Sequence, residues 1–79
     1  MTENTLITDD WLMINDGLQS VHVEAVNAAG YSSSYWAISD SKPPAELQGH
    51  LLRAGTFDKY IVWARAEDVA LLVVTKLDD

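Results

Sequence analysis

The residues of this chain that are equipped for chemistry are few and thinly spread. His22 and Glu24 stand two positions apart, so an extended strand would place imidazole and carboxylate on one face. That pair could seed a metal site, but two ligands do not complete one. His50 lies too far along the chain for spacing to bring it close, and the plainer reading is a solvated strand face. Ser32-Ser33-Ser34 supplies hydroxyls without the Gly-x-Ser-x-Gly elbow that would activate one of them. A Ser-His-Asp triad assembles only in the fold, so spacing does not decide it. A chain of 8.7 kDa has little room for a pocket and a shell that supports it. The carboxylate pairs Asp9-Asp10 and Asp78-Asp79 lie near the ends and read as solvated. Gly17, Gly30, Gly49 and Gly55 are isolated turn residues, not a phosphate cradle. No catalytic, cofactor-binding or metal-ligating residue is therefore assigned. The expectation is a protein that is not an enzyme and uses no cofactor.

Size and charge narrow the classes further. Seventy-nine residues make a single domain, 1–79, with a thin core. Cysteine is absent, which removes disulfides and thiolate metal sites as staples and leaves association as the remaining supplement. The net charge of −7 disfavours direct binding to a nucleic acid or an anionic membrane. It suits solubility, a basic partner, or imitation of nucleic acid. Met1–Thr5 lacks the basic start and apolar run of a signal peptide, and no apolar run is long enough to span a bilayer. Use in the cytoplasm, or in something assembled there, is expected.

The elements that must position these residues read as short strands. Trp11–Ile14 is β-prone and runs into Asn15-Asp16-Gly17, a strong hairpin signal before the next apolar run. Leu18–Val26 alternates, with Val21, Val23 and Ala25 opposite His22 and Glu24. Asn27–Gly30 is a turn, Tyr31–Ile38 a third strand, and Ser39–Pro44 the longest breaker, with one helical turn possible at Ala45–Gln48. His50–Arg53 is a short strand and Ala54-Gly55 a turn. A strand starting near Phe57 continues through Ala66, and Val69–Leu77 follows Glu67-Asp68. Residues 1–8 read as a candidate extended arm. Six to seven short strands without helical periodicity predict an all-β fold, a compact antiparallel sandwich or small barrel.

The last two strands are unusual. Val62, Ala64 and Ala66 oppose Ile61, Trp63 and Arg65, while Leu71 and Val73 oppose Ala70, Leu72 and Val74. Both strands are largely apolar on both faces, where a sheet with one wet face should alternate. Read as a C-terminal hairpin, they carry more apolar surface than so small a chain easily covers. An uncovered apolar patch marks an interface, so Ile61, Trp63, Leu72 and Val74 are the candidate interface of a homo-oligomer or a larger assembly. A tightly rolled barrel with both strands at its seam is the alternative. Tyr31, Tyr35 and Trp36 lie among serines beside a glycine turn and form a candidate recognition face.

In order, Ile14-Asn15-Asp16-Gly17, Trp36-Ala37-Ile38-Ser39, Pro43-Pro44, Gly49-His50-Leu51-Leu52, Val62-Trp63-Ala64-Arg65 and Val73-Val74-Thr75 make an outline. It resembles the small β-structured accessory proteins of tailed-phage virions: head decoration or cement proteins and small fibre or tail components. The likeness rests on strand rhythm and turn placement over most of the chain. It implies a symmetric homo-oligomer, often a trimer, seated on a capsid or tail, performing no chemistry. Two other classes stay open. Small acidic phage proteins also inhibit host nucleic-acid enzymes by presenting carboxylates where phosphates would lie, and the inhibitors of uracil-DNA glycosylase are similar in size and charge. Carbohydrate or peptide binding through Tyr31, Tyr35 and Trp36 is the other.

Overall fold

The computed structural model describes residues 1–77. The chain forms eight strands: β1 (Thr2–Ile7), β2 (Leu12–Asp16), β3 (Val21–Ala25), β4 (Ser34–Ile38), β5 (His50–Leu52), β6 (Ala54–Phe57), β7 (Ile61–Ala66) and β8 (Ala70–Lys76). They build two four-stranded antiparallel sheets, ordered β1-β8-β3-β6 and β2-β7-β4-β5. The Cα atoms span only 15 Å in the thinnest direction, which fits two layers packed about 10 Å apart. The architecture is an antiparallel β-sandwich, as the strand rhythm predicts.

The strand count rises by two. The N-terminal segment expected as an extended arm is extended, and it lies along β8 in unbroken register from Thr2↔Thr75 to Ile7↔Ala70. Ala54-Gly55, read above as a turn, is instead the start of β6, paired with Glu24 and Val23 of β3. The chain turns one residue earlier, at Arg53, where it leaves one sheet for the other. The Arg53 carbonyl accepts from the Ala25 N–H at 2.7 Å and anchors that corner.

The connections supply the larger correction. Asp16-Gly17 does reverse the chain, with Gly17 at φ +89° and the Leu18 N–H donating to Asp16 Oδ1 at 3.0 Å. Yet β2 and β3 belong to opposite sheets, so this is a bridge between layers and not a hairpin. The same holds for β7 and β8: Glu67-Asp68 joins two strands that face each other across the core. Of the consecutive strands, only β4 and β5 are neighbours in one sheet. β7 and β8 are each paired on both sides, and internal strands of this kind carry the most apolar sequence.

The core lies between the sheets. Val62, Ala64 and Ala66 of β7 meet Ala70, Leu72 and Val74 of β8, with Ile7, Ile14, Val21, Val23 and Leu52 around them. The small alanines let the central strands approach closely. A second apolar cluster lies on the far side of β7, where Trp11, Tyr35 and Ala37 are buried and Trp63 packs against them. Its cover comes from the chain itself. The β4–β5 connection, residues 39–49, folds back over this face with Pro43 buried. The Trp11 indole N–H donates to the Pro44 carbonyl at 3.2 Å, and that of Trp63 to the Ser39 carbonyl at 3.0 Å. Arg65 Nε donates to the Gln48 carbonyl at 3.2 Å while its guanidinium lies over the rings of Trp11 and Tyr35. Lys42 reaches Asp10 at 2.9 Å. Where one helical turn was possible, at Ala45–Gln48, the chain forms a tight turn at Ala45-Glu46 instead, closed by the Leu47 N–H on the Pro44 carbonyl at 3.0 Å.

Candidate functional site

The four residues expected at an interface fall on different layers. Leu72 and Val74 are only 0% and 5% exposed, and both point into the sandwich core. Ile61 and Trp63 are half-buried on the opposite face of β7, and Trp63 is tied to the 39–49 connection. The surplus apolar side of β7 is thus covered within the chain. The reasoning that made these residues one interface treated β7 and β8 as a hairpin. As opposed central strands, each turns one apolar face inward and the other elsewhere.

The expected recognition face also separates. Tyr35 is buried beneath the 39–49 connection, and its hydroxyl donates to Glu67 Oε1 at 2.7 Å. That hydrogen bond, and burial after it, hold the phenol above the ordinary tyrosine range. Trp36 points to the other side of its sheet, where its ring meets Phe57 edge-on and His50 at a tilt. Tyr31 alone of the three stands at the surface.

His22 and Glu24 do share a strand face, and the structure adds Thr56 from β6. His22 Nε2 lies 2.9 Å from Glu24 Oε1, and Nδ1 lies 2.9 Å from Thr56 Oγ1. Carboxylate, imidazole and hydroxyl follow one another as in an acyl-transfer triad, but they lie on an open sheet face outside both clefts described below. Among the described residues no group of three or more His, Cys, Asp or Glu side chains could hold a metal. The cross-strand contact of Thr56 was invisible in sequence because Ala54-Gly55 was read as a turn and the next strand was started only near Phe57.

Two surfaces remain with unused bonding capacity. The first is the edge strand β1. Met1 exchanges both backbone hydrogen bonds with Lys76. In an antiparallel ladder the bonded pairs alternate, so Glu3, Thr5 and Ile7 bond β8 while Thr2, Asn4 and Leu6 turn their N–H and C=O groups outward. The other edges are shortened or distorted: β2 carries a register shift between Met13 and Asn15, β5 has three residues and β6 four. β1 has six residues in unbroken register. Met1, Leu6, Leu12 and Met13 are exposed along this side of the molecule. Between β1 and β2 a cleft of about 240 Å³ is lined by Glu3, Thr5, Leu12 and Met13, with Lys76 at its base. Lys76 Nζ donates to the Ile14 carbonyl at 2.9 Å and to Asn15 Oδ1 at 2.7 Å. The Asn15 amide in turn donates to the Gln19 and Tyr60 carbonyls, so this buried side chain is satisfied from several directions.

The second surface is a cleft of about 490 Å³ between the β3–β4 connection and the Arg53 corner. Val26, Leu51 and Leu52 give it apolar walls, Tyr31 and Asn27 stand along it, and Ser32, Ser33 and Ser34 line one side. Ser32 is committed elsewhere: its hydroxyl donates to the Val69 carbonyl at 3.2 Å and accepts from the Asp68 N–H at 2.9 Å. Ser34 Oγ is buried and has no hydrogen-bond partner among the described residues. Acidic side chains gather instead at turns, Asp9 and Asp10 before β2 and Glu67 and Asp68 before β8, rather than along one exposed edge. Compared with known protein families, characterised proteins and solved structures, the chain matches none of them.

Proposed function

We propose that this protein is a non-enzymatic assembly module that works as a symmetric dimer joined through β1. The observation that carries this reading is the uninterrupted edge of Thr2, Asn4 and Leu6, with outward donors and acceptors that no described residue engages. An exposed edge of this length is a ready template for another strand. A two-fold axis through Asn4 sets Asn4 opposite its copy and Thr2 opposite Leu6 of the partner subunit. Every outward N–H then finds a carbonyl, and the two sheets become one continuous sheet. In this register Glu3 faces Thr5 of the partner subunit, so two chains of net charge −7 meet without carboxylates directly opposed. The interface therefore moves from the C-terminal strands to the N-terminal one, and its symmetry is that of a dimer rather than a trimer. The resemblance to small virion accessory proteins would seat such a dimer on a phage capsid or tail.

Sedimentation of the purified chain tests this at micromolar concentration, with a particle of twice the 8.7 kDa chain mass expected. Asn4→Pro leaves a monomer that still folds, because the lost N–H points away from β8 and proline is tolerated at such edge positions. Thr5→Pro removes a bond to β8 and should destabilise the fold instead. A wild-type monomer, or a dimer indifferent to Asn4→Pro, defeats the proposal.

A further inference from the structure

We propose that the cleft beside the Arg53 corner is a binding site for a small organic carboxylate with an apolar flank. Ser34 lines this cleft and is only 2% exposed, and its buried hydroxyl has no partner among the described residues. A buried hydroxyl left unpaired is costly, and native structures normally satisfy such groups. A ligand acceptor within the cleft supplies the missing bond. Arg53 provides the charge. Its guanidinium makes no hydrogen bond or ion pair with any described residue, whereas Lys42, Arg65 and Lys76 are engaged elsewhere. Among the described residues, Arg53 is also the single charged one lining the cleft. In a chain with twelve Asp and Glu against five Lys and Arg, this is a local departure from the average sign.

The shape narrows the chemistry. A guanidinium fork matches a carboxylate in two parallel hydrogen bonds. Leu51, Leu52 and Val26 offer an aliphatic group the contact that a free phosphate could not use. The volume of about 490 Å³ suits a ligand of small-molecule size. The required carboxylate is available on a free aliphatic acid and on the C-terminal residue of a peptide, and both present the same group to Arg53 and Ser34.

The test is an NMR titration of the isotope-labelled full chain with four probes: 4-methylpentanoate, N-acetyl-leucine, N-acetyl-leucine amide and inorganic phosphate. Saturable shifts at the Ser33, Ser34, Leu52 and Arg53 amides are expected from both carboxylates. A response to N-acetyl-leucine without one to 4-methylpentanoate supports the peptide source, and equal responses support a free acid. Arg53→Gln should weaken carboxylate binding at least about tenfold. Ser34→Ala should weaken it about 2- to 12-fold, the loss of one hydrogen bond. Because that variant removes an unpaired buried hydroxyl, it should not lower the melting temperature of the free protein. Equal shifts from the amide or from phosphate, no carboxylate response at millimolar concentration, or unchanged binding by Arg53→Gln would each overturn the assignment.

Discussion

Gly49→Ala should loosen the cover over the second apolar cluster, and the size of the effect follows from two separate strains. Gly49 sits at φ +84°, the left-handed region, where a residue with a Cβ is strained by about 1 kcal/mol. A Cβ added there would also lie 2.7 Å from Cη2 of Trp11 and 2.8 Å from the Trp36 carbonyl oxygen. The ring is itself buried and the carbonyl is backbone, so neither yields freely, and overpacking of this kind costs about 1–3 kcal/mol. Together the loss is about 3 kcal/mol. In a domain of this size each kcal/mol moves the melting temperature by about 4–8 °C, so a fall of about 12–24 °C is expected. Thermal unfolding followed by circular dichroism measures the loss. Tryptophan emission reports whether Trp11 and Trp63 become wetter as the 39–49 connection lifts. Gly55→Ala is the control, since Gly55 has open space at its Cβ and no left-handed φ. If Gly49→Ala melts with the control and its emission is unchanged, the connection does not cover the sheet in the way described.

Three further outcomes follow from the same structure. Leu72→Glu places a charge at a fully buried site and should cost more than about 4 kcal/mol or abolish folding, whereas Val73→Lys, outward and opposite Glu24, should stay within about 0.5 kcal/mol by urea denaturation; equal tolerance would place Leu72 outside the core. Lys76→Met strips the donor from the Ile14 carbonyl and Asn15 Oδ1 and should cost about 1–3 kcal/mol in the same assay; an unchanged midpoint would show that the lysine is not needed there. Because the folded state holds the Tyr35 phenol above its ordinary pKa of 10.0, folding favours the protonated form. The resulting stability is complete below pH 10 and is lost as pH rises through the ordinary value towards the raised one. Ultraviolet titration should show one late-ionising tyrosine that Tyr35→Phe removes, and its persistence in that variant would contradict the Glu67 hydrogen bond.

The faces of the strands were legible in the sequence, while their partners were not. Period-two alternation correctly set Val62, Ala64 and Ala66 apart from Ile61, Trp63 and Arg65, because a pleated strand allows no other arrangement. Asp16-Gly17 and Glu67-Asp68 signalled chain reversals that do occur. Turn chemistry reports that the chain bends, though, and a bend within a sheet and a bend between sheets can use the same left-handed glycine. Only long-range pairing distinguishes them, and it made the expected hairpins into bridges across the core. The cover over Trp63 was hidden for a similar reason. Pro43-Pro44 reads locally as a breaker, and its value as a lid depends on Trp11 and Trp63, both distant in sequence. The carboxylate cleft had a partial signal in Tyr31 and the serines, but Arg53 joins them only because the chain turns at that residue. The β1 edge had no signal, since an edge strand and an unpaired arm look alike until a partner strand is found.

Backbone amide hydrogen exchange of β1 as a function of protein concentration tests the proposed assembly most directly. Glu3, Thr5 and Ile7 donate to β8 within one chain, so their protection should not depend on concentration. The Thr2, Asn4 and Leu6 amides should be protected in concentrated protein and exchange rapidly on dilution, in step with the fall in mass from dimer to monomer. Fast exchange of those alternate amides at every concentration, while the particle remains dimeric, would place the interface elsewhere and contradict the account.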